Sequence, residues 1–163
     1  MSLYGYIELQ ETKYKPLLDY EILTNVEDNS CLLDIYYAYT KYKQFPSVQP
    51  IFHGAFIDPR CEFVTYKVDS KVVAWTMIRK LDETVVDNMQ FCWDYKKPKL
   101  ALGHYSLIQE LNWYKAQGYD HYYMCESTGS IDSYKTKYQG FEWYTGARWS
   151  NNTKRYIEQI NTL

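Results

Sequence analysis

The sequence predicts an α+β (mixed α/β) fold in which helices flank a central, mostly antiparallel sheet, all within one domain spanning residues 1–163. Three observations carry that expectation. Three strand-like runs separated by charged turns fill residues 62–93. A stretch with helical spacing follows over 103–117, closed by Gly118. Short strand-like and helix-like segments then alternate as far as Trp149, with no linker, repeat or low-complexity tract between them.

Taken in order, the first forty-five residues read as largely helical. Leu32, Leu33, Ile35, Tyr36 and Tyr39 recur at helical spacing, and Asp28, Asn29 or Ser30 offers a cap. Phe45–Pro59 is proline-rich and reads as an irregular crossing. Glu62–Val68, Lys71–Leu81 and Thr84–Trp93 are rich in β-branched and apolar residues, and Asp69-Ser70 and Asp82-Glu83 mark the turns between them. Gly103–Gln117 carries an apolar face at Tyr105, Ile108, Leu111 and Trp113. Tyr119–Cys125 is predicted as a short buried strand, Asp132–Tyr138 as a short helix ended by Gly140, and Phe141–Trp149 as a returning strand.

Composition narrows the function classes. A net charge of −2 argues against a protein whose whole surface embraces nucleic acid, while leaving room for a local basic patch. Cys31, Cys61, Cys92 and Cys125 are widely spaced, with no CxxC and no Cys/His ligand spacing. That pattern predicts reduced, mostly buried thiols, neither a zinc site nor a disulfide framework, in a cytoplasmic protein. No apolar run approaches the ~20 residues a membrane-spanning helix needs, and the amino terminus has no signal-peptide pattern. The 19 tyrosines include clusters that can line a core while a hydroxyl reaches water or a partner.

The richest stretch is Cys92–Lys115, where an apolar strand ends in a Lys/Pro loop that runs through Leu-Ala-Leu-Gly into a helix. A glycine at that junction lets backbone approach a ligand, and unpaired N–H groups of a first helical turn attract an anion or a developing oxyanion. Gly103 with the N–H groups of His104 and Tyr105 is the first candidate site, and Lys97 and Lys99 stand ready for phosphates. His104 beside this loop is a candidate general base. Glu126, at the end of the Tyr-Tyr strand, is a carboxylate able to accept a proton or bind an amine. Tyr134 and Tyr138 lie four apart and share a helical face, so one can donate a proton to a leaving hydroxyl.

Phe63–Trp75 (FVTYKVDSKVVAW) resembles the strand–turn–strand of arginyl-tRNA–protein transferases and the related bacterial leucyl transferases. WDYKKPKLALGHYS (Trp93–Ser106) is similar to their Asp-Pro turn and Leu-Ser-Leu-Gly-Thr-Tyr-Ser, and YKAQGYDHYYM (Tyr114–Met124) to the helix end, glycine and Tyr-Tyr strand that follow. SYKTKYQG (Ser133–Gly140) is similar to their Arg-Tyr-Lys-x-Arg-Phe-x-Pro and to the Phe-Lys-x-Gly-Phe of Fem-type peptidyl transferases. Four such segments in order over about half the chain resemble the C-terminal catalytic part of that group, which implies the GNAT acyltransferase fold.

The resemblance implies an acyl donor, either aminoacyl-tRNA or acetyl-CoA, with no tightly bound cofactor and no metal. It implies an amine acceptor on a protein, peptide or small molecule. Lys137, in the shared motif, is then placed to stabilise an oxyanion or a phosphate. Lys99-Leu100-Ala101-Leu102-Gly103-His104 is the nearest equivalent of the pyrophosphate loop of CoA-using relatives and keeps one of its glycines, which disfavours a CoA donor. The cysteine-containing region that precedes the catalytic part in those transferases has no counterpart, because Cys31 stands alone. A CoA-dependent N-acetyltransferase and a non-catalytic GNAT-like binding module are the competing readings. Self-association as a homodimer is one source of the missing acceptor or tRNA specificity.

Overall fold

The computed structural model describes residues 3–15, 19–44, 51, 53–94 and 101–163. The charged turn Asp69-Ser70 does what its residue types suggest: both residues take positive φ, 51° and 64°, and close a two-residue hairpin between β3 (Cys61–Val68) and β4 (Lys71–Lys80). β5 (Val85–Trp93) pairs antiparallel with β4, completing the expected meander. Helix α3 (Leu102–Ala116) then crosses one face and returns the chain as β6 (His121–Ser127), parallel to β5. Gly118 ends α3 with φ +89°.

The first forty-five residues depart from the helical expectation. Leu3–Glu8 forms β1, inserted between β6 and β7 (Phe141–Tyr144), and Tyr20–Leu23 forms β2 on the β3 edge. Only α1 (Ser30–Lys43) is the expected helix, with Asn29 at its N-cap position and Asp28 accepting from the Ser30 N–H at 3.2 Å. Strand pairing over more than a hundred residues of sequence overrides weak local helical preference in β1. The expected strand Phe141–Trp149 is instead a hairpin of β7 and β8 (Trp149–Ser150). Asp132–Tyr138 is a 3₁₀ segment, Ser130–Lys137. Two short helices complete the chain: α2 (His53–Ile57) and α4 (Thr153–Ile160), the latter capped by Asn152, whose Oδ1 accepts from the Arg155 N–H at 3.0 Å.

The eight strands form one sheet in the order β2-β3-β4-β5-β6-β1-β7-β8, antiparallel except at β5–β6. On one face α3 and α4 pack over Ile7, Val64, Ile78, Val86, Tyr122 and Trp143. On the other, α1 and α2 cover the β3–β5 half through Leu32, Tyr36, Tyr39 and Phe56 against Phe63, Trp75 and Met77. Burying Trp75 with its Nε1 donating to the Leu32 carbonyl at 2.8 Å ties α1 to β4. The tyrosines split as their chemistry allows: Tyr66, Tyr114, Tyr122 and Tyr156 are fully buried, and each hydroxyl has a partner. The cysteines are all free, but Cys31 and Cys125 are exposed where burial was expected. No described helix is long and apolar enough to cross a membrane.

Candidate active site

β5 and β6 run together for three residue pairs, Val85–His121, Val86–Tyr122 and Asp87–Tyr123, and then separate. Each strand has a local reason. In β5 the register against β4 slips between Met77–Gln90 and Ile78–Asn88, so Met89 is bulged out of the ladder. In β6 Cys125 adopts φ +52°, a left-handed conformation that costs a non-glycine residue roughly 1–2 kcal/mol. Between the separated ends lies a cleft of about 870 Å³, walled by the start of α3, the 3₁₀ segment and the two strand ends.

The strained turn of β6 is held by Lys135. This side chain is buried, 1% exposed, and its Nζ donates to the carbonyls of Cys125 (3.2 Å) and Glu126 (3.4 Å) and to Ser127 Oγ (3.1 Å). Asp132, one turn earlier, pairs with it at 3.3 Å and also accepts from the Thr128 N–H at 2.7 Å. Burial pushes the Lys135 ammonium below its usual range, partly opposed by the Asp132 charge. The Cys125 thiol is open to the cleft and donates to the Asn88 carbonyl across the gap. The surrounding walls push it up to about 12, so it stays a thiol.

The cleft floor is a buried carboxyl. Glu110 of α3 receives the hydroxyls of Thr76 (2.5 Å) and Tyr66 (2.6 Å) on Oε1, and that of Tyr122 on Oε2. Asn88 Nδ2 in turn donates to Tyr122 at 2.9 Å. Three hydroxyl donors favour the carboxylate, but complete burial outweighs them and raises Glu110 to about 7. One carboxyl therefore links α3 to β3, β4 and β6 beneath the site.

Five of the candidate residues share this cleft, whereas Ala101, Leu102 and Tyr105 do not line it and Leu102 is buried in the core. Gly103, His104, Glu126, Tyr134 and Lys137 all line the cleft. His104 Nδ1 is 3.1 Å from the Tyr138 hydroxyl. Tyr134 sits edge-on to Tyr138, ring centroids 6.4 Å apart, is partly exposed, and is raised well above its usual range by desolvation and by the Asp132 charge. Lys137 is exposed at the rim, and Tyr105 is half-buried. The helix-start expectation needs correcting in one respect. The N–H groups of His104 and Tyr105 are already taken by the Ala101 carbonyl, at 3.0 and 3.2 Å, so those two amides are not free for an anion. Ala101 itself takes φ +46° just before Leu102 opens α3. Lys97, Lys99 and Leu100 lie outside the described residues.

Lys135 and Glu110 were not picked out by sequence reasoning. Ser133–Gly140 contains two lysines, and only the inward turn of the 3₁₀ segment distinguishes buried Lys135 from exposed Lys137. The i,i+3 spacing of Asp132 and Lys135 was the available signal. Glu110 sits in a buried helical stripe with Ser106, Leu107 and Leu111, and a lone acid there reads as a solvated position until the three hydroxyls are placed around it. No group of three or more metal-ligating side chains converges among the described residues.

The architecture matches solved structures at low identity. The C-terminal domain of a putative lysylphosphatidylglycerol synthetase from Agrobacterium fabrum superimposes with a TM-score of 0.65 at 10% identity, over 81% of this chain and 48% of that one. L-PGS from Bacillus licheniformis gives 0.61 at 14%, over 77% and 45%. A putative GNAT-family acetyltransferase from Novosphingobium aromaticivorans gives 0.58 at 15%, over 86% and 58%. The chain thus spans about half the length of the first two of these proteins. No curated protein matches the sequence significantly. The fold is that of the GNAT acyltransferases, and residues 25–145, which hold α1, the meander, α3 and the cleft, match the arginine-tRNA-protein transferase C-terminus, the family to which this chain belongs.

Proposed function

We propose that the protein transfers an aminoacyl group from a charged tRNA to an amine of a protein, peptide or small molecule. The observation that carries this reading is the cleft at the β5–β6 separation. It brings the start of α3, the strand end at Cys125–Glu126 and the Tyr134–Lys137 segment around one space of ligand size. The amine nitrogen attacks the ester carbonyl carbon, forming the C–N bond. The C–O bond to the ribose breaks, and the departing hydroxyl takes up the proton that the amine loses. An ester is already activated, so positioning and oxyanion stabilisation supply most of the rate.

In this reading Lys137 meets the developing oxyanion or a tRNA phosphate. Tyr134, kept protonated by desolvation against the cleft wall and by the Asp132 charge, gives a proton to the leaving ribose oxygen. Glu126 holds the acceptor amine or takes its proton, and His104 is a base beside the helix start. Gly103 lines the cleft where the donor end packs, Ala101, Leu102 and Tyr105 flank it at the start of α3, and Lys97, Lys99 and Leu100 precede them in sequence as candidates for the donor phosphates. Lys135 is a positioning residue: its bonds are spent on fixing the β6 end.

A thermal-shift titration with charged tRNA, uncharged tRNA and acetyl-CoA tests the donor. The expected result is saturable stabilisation by charged tRNA that weakens as salt rises. With Lys137→Ala, transfer is expected to slow by about tenfold or more while the melting temperature stays near that of the parent. Stabilisation by acetyl-CoA alone would make the protein an N-acetyltransferase, and silence from all three would remove the enzymatic reading.

A further inference from the structure

A carboxylate offers about four acceptor positions. On Glu110, Oε1 takes the hydroxyls of Tyr66 and Thr76, and Oε2 takes that of Tyr122. The remaining position, on Oε2, has no partner among the described residues. Asn88 donates to the Tyr122 hydroxyl from β5 at 2.9 Å, so the donor on Oε2 is itself held in place. Glu110 is 1% exposed and still borders the cleft, together with Thr76, Ser106 and Asn88. The cleft therefore ends on a carboxyl that is dry and has one acceptor position left.

The charges around it do not answer its own. The titratable groups that face Glu110 among the described residues are tyrosines: Tyr66 on β3, Tyr122 on β6, Tyr114 on α3 and Tyr138 after the 3₁₀ segment. Behind Tyr114, Glu62 of β3 accepts the Tyr114 hydroxyl on one oxygen and pairs with Lys80 of β4 on the other. That cation is spent on Glu62. Burial accordingly raises Glu110 to about 7. An ionised Glu110 is an uncompensated buried charge, and taking a proton removes it. His104 and Glu126 stand exposed at the same cleft, where a proton is taken up with no such relief.

We propose that Glu110 is the base that receives the proton of the acceptor ammonium on the floor of the cleft. The proposal rests on the transferase reading and adds to it the group that makes the nucleophile. At neutral pH an amine arrives as an ammonium, with no lone pair to attack with. Its N–H bond breaks, the electron pair stays on nitrogen and the proton passes to Oε2, which turns two buried charges into none. The free amine then attacks the ester carbon. The C–N bond forms, the C–O bond to the ribose breaks, and the second amine proton ends on the ribose oxygen. Glu110 returns its proton to water when the product leaves. Glu126 is left with holding the amine.

The test is the pH profile of transfer by the whole chain across about pH 5 to 9 at saturating peptide. It uses tRNA charged with mixed amino acids and a set of peptides that differ in their first residue. The parent rate is expected to rise through about 7 and level off. In Glu110→Gln the rise is expected to move to the amine's own value, about 8, with a loss of about fivefold or more at pH 7 that closes by about pH 9. The best peptide rebuilt with an aminooxy terminus, neutral over this range, is expected to react equally fast with parent and variant. A purely structural role would lower the rate at every pH and for both peptides. Tyr122→Phe takes the donor from Oε2 and keeps the carboxyl, so the parent rise is expected to move upward, and this variant decides the matter if Glu110→Gln does not fold. An unshifted profile in either variant, a loss uniform in pH, or an equal loss with the aminooxy peptide overturns the base and leaves the transferase. No transfer by the parent to any peptide overturns the transferase and the base with it.

Discussion

Lys135 shows how one side chain can decide the geometry of a site without touching the chemistry. A buried ammonium is costly, and here its charge is answered by Asp132 and by three oxygens of β6. What it supports is the left-handed turn at Cys125, which an isolated strand would not adopt. Lys135→Met removes the ammonium from Asp132 Oδ1 and from the Cys125 and Glu126 carbonyls at a buried position. We expect a loss of about 3 kcal/mol in urea unfolding, together with slowed transfer. Lys135→Arg keeps the charge but not the compact head, so it is expected to recover stability only in part. A Lys135→Met protein as stable as its parent would mean that the turn is held by other contacts.

Among the elements, β1 and the approach to β7 meet at close quarters. Gly140 takes φ +74°, and a Cβ there would overlap the Glu8 carbonyl, while the Glu8 N–H donates to the Gly140 carbonyl at 2.7 Å. Gly118 ends α3 with a similar positive φ, +89°, but open space surrounds it. The two glycines separate backbone preference from crowding. Gly118→Ala is expected to cost about 1 kcal/mol, the left-handed penalty alone. Gly140→Ala carries the same penalty plus the displacement of a strand, and its melting temperature should fall several times further. Equal losses for the pair would mean that β1 gives way freely at this point.

For the whole molecule, pH acts through the carboxyl that joins α3 to the sheet. Glu110 holds its proton up to about 7 in the folded protein, against an ordinary value of 4.5. The folded state thus binds a proton that the unfolded chain has released. This contribution is complete below pH 4.5 and is lost as pH rises through about 7, a change of about 3 kcal/mol. Asp87, raised to about 6 by burial against the Arg79 charge, adds a smaller loss of the same sign. Urea midpoints measured across this window should fall with rising pH, and Glu110→Gln should flatten most of that fall while leaving the Asp87 part. An unchanged slope in Glu110→Gln would place the titration elsewhere.

The meander and helix α3 with its Gly118 stop were legible in the sequence, because each rests on local chemistry, and the candidates Gly103, Glu126 and Tyr134 come to line one cleft. Asp69-Ser70 closes a two-residue hairpin, and Gly103 in the first turn of α3 comes to the cleft where the sheet opens. What local chemistry does not encode is pairing at a distance. β1 is a strand because β6 and β7 flank it with hydrogen-bond partners, although its own residues were compatible with a helix. Lys135 is buried and Lys137 exposed because the 3₁₀ segment packs against the β6 end, a fact set by tertiary contact. Glu110 becomes a proton-holding floor only when Tyr66, Thr76 and Tyr122 arrive from three strands. The sequence by itself thus determined the local turns, the helix and the types of residue available to the site. The tertiary structure decided which of them are dry, which are paired and where the sheet opens, because burial and charge pairing depend on neighbours far away in the chain.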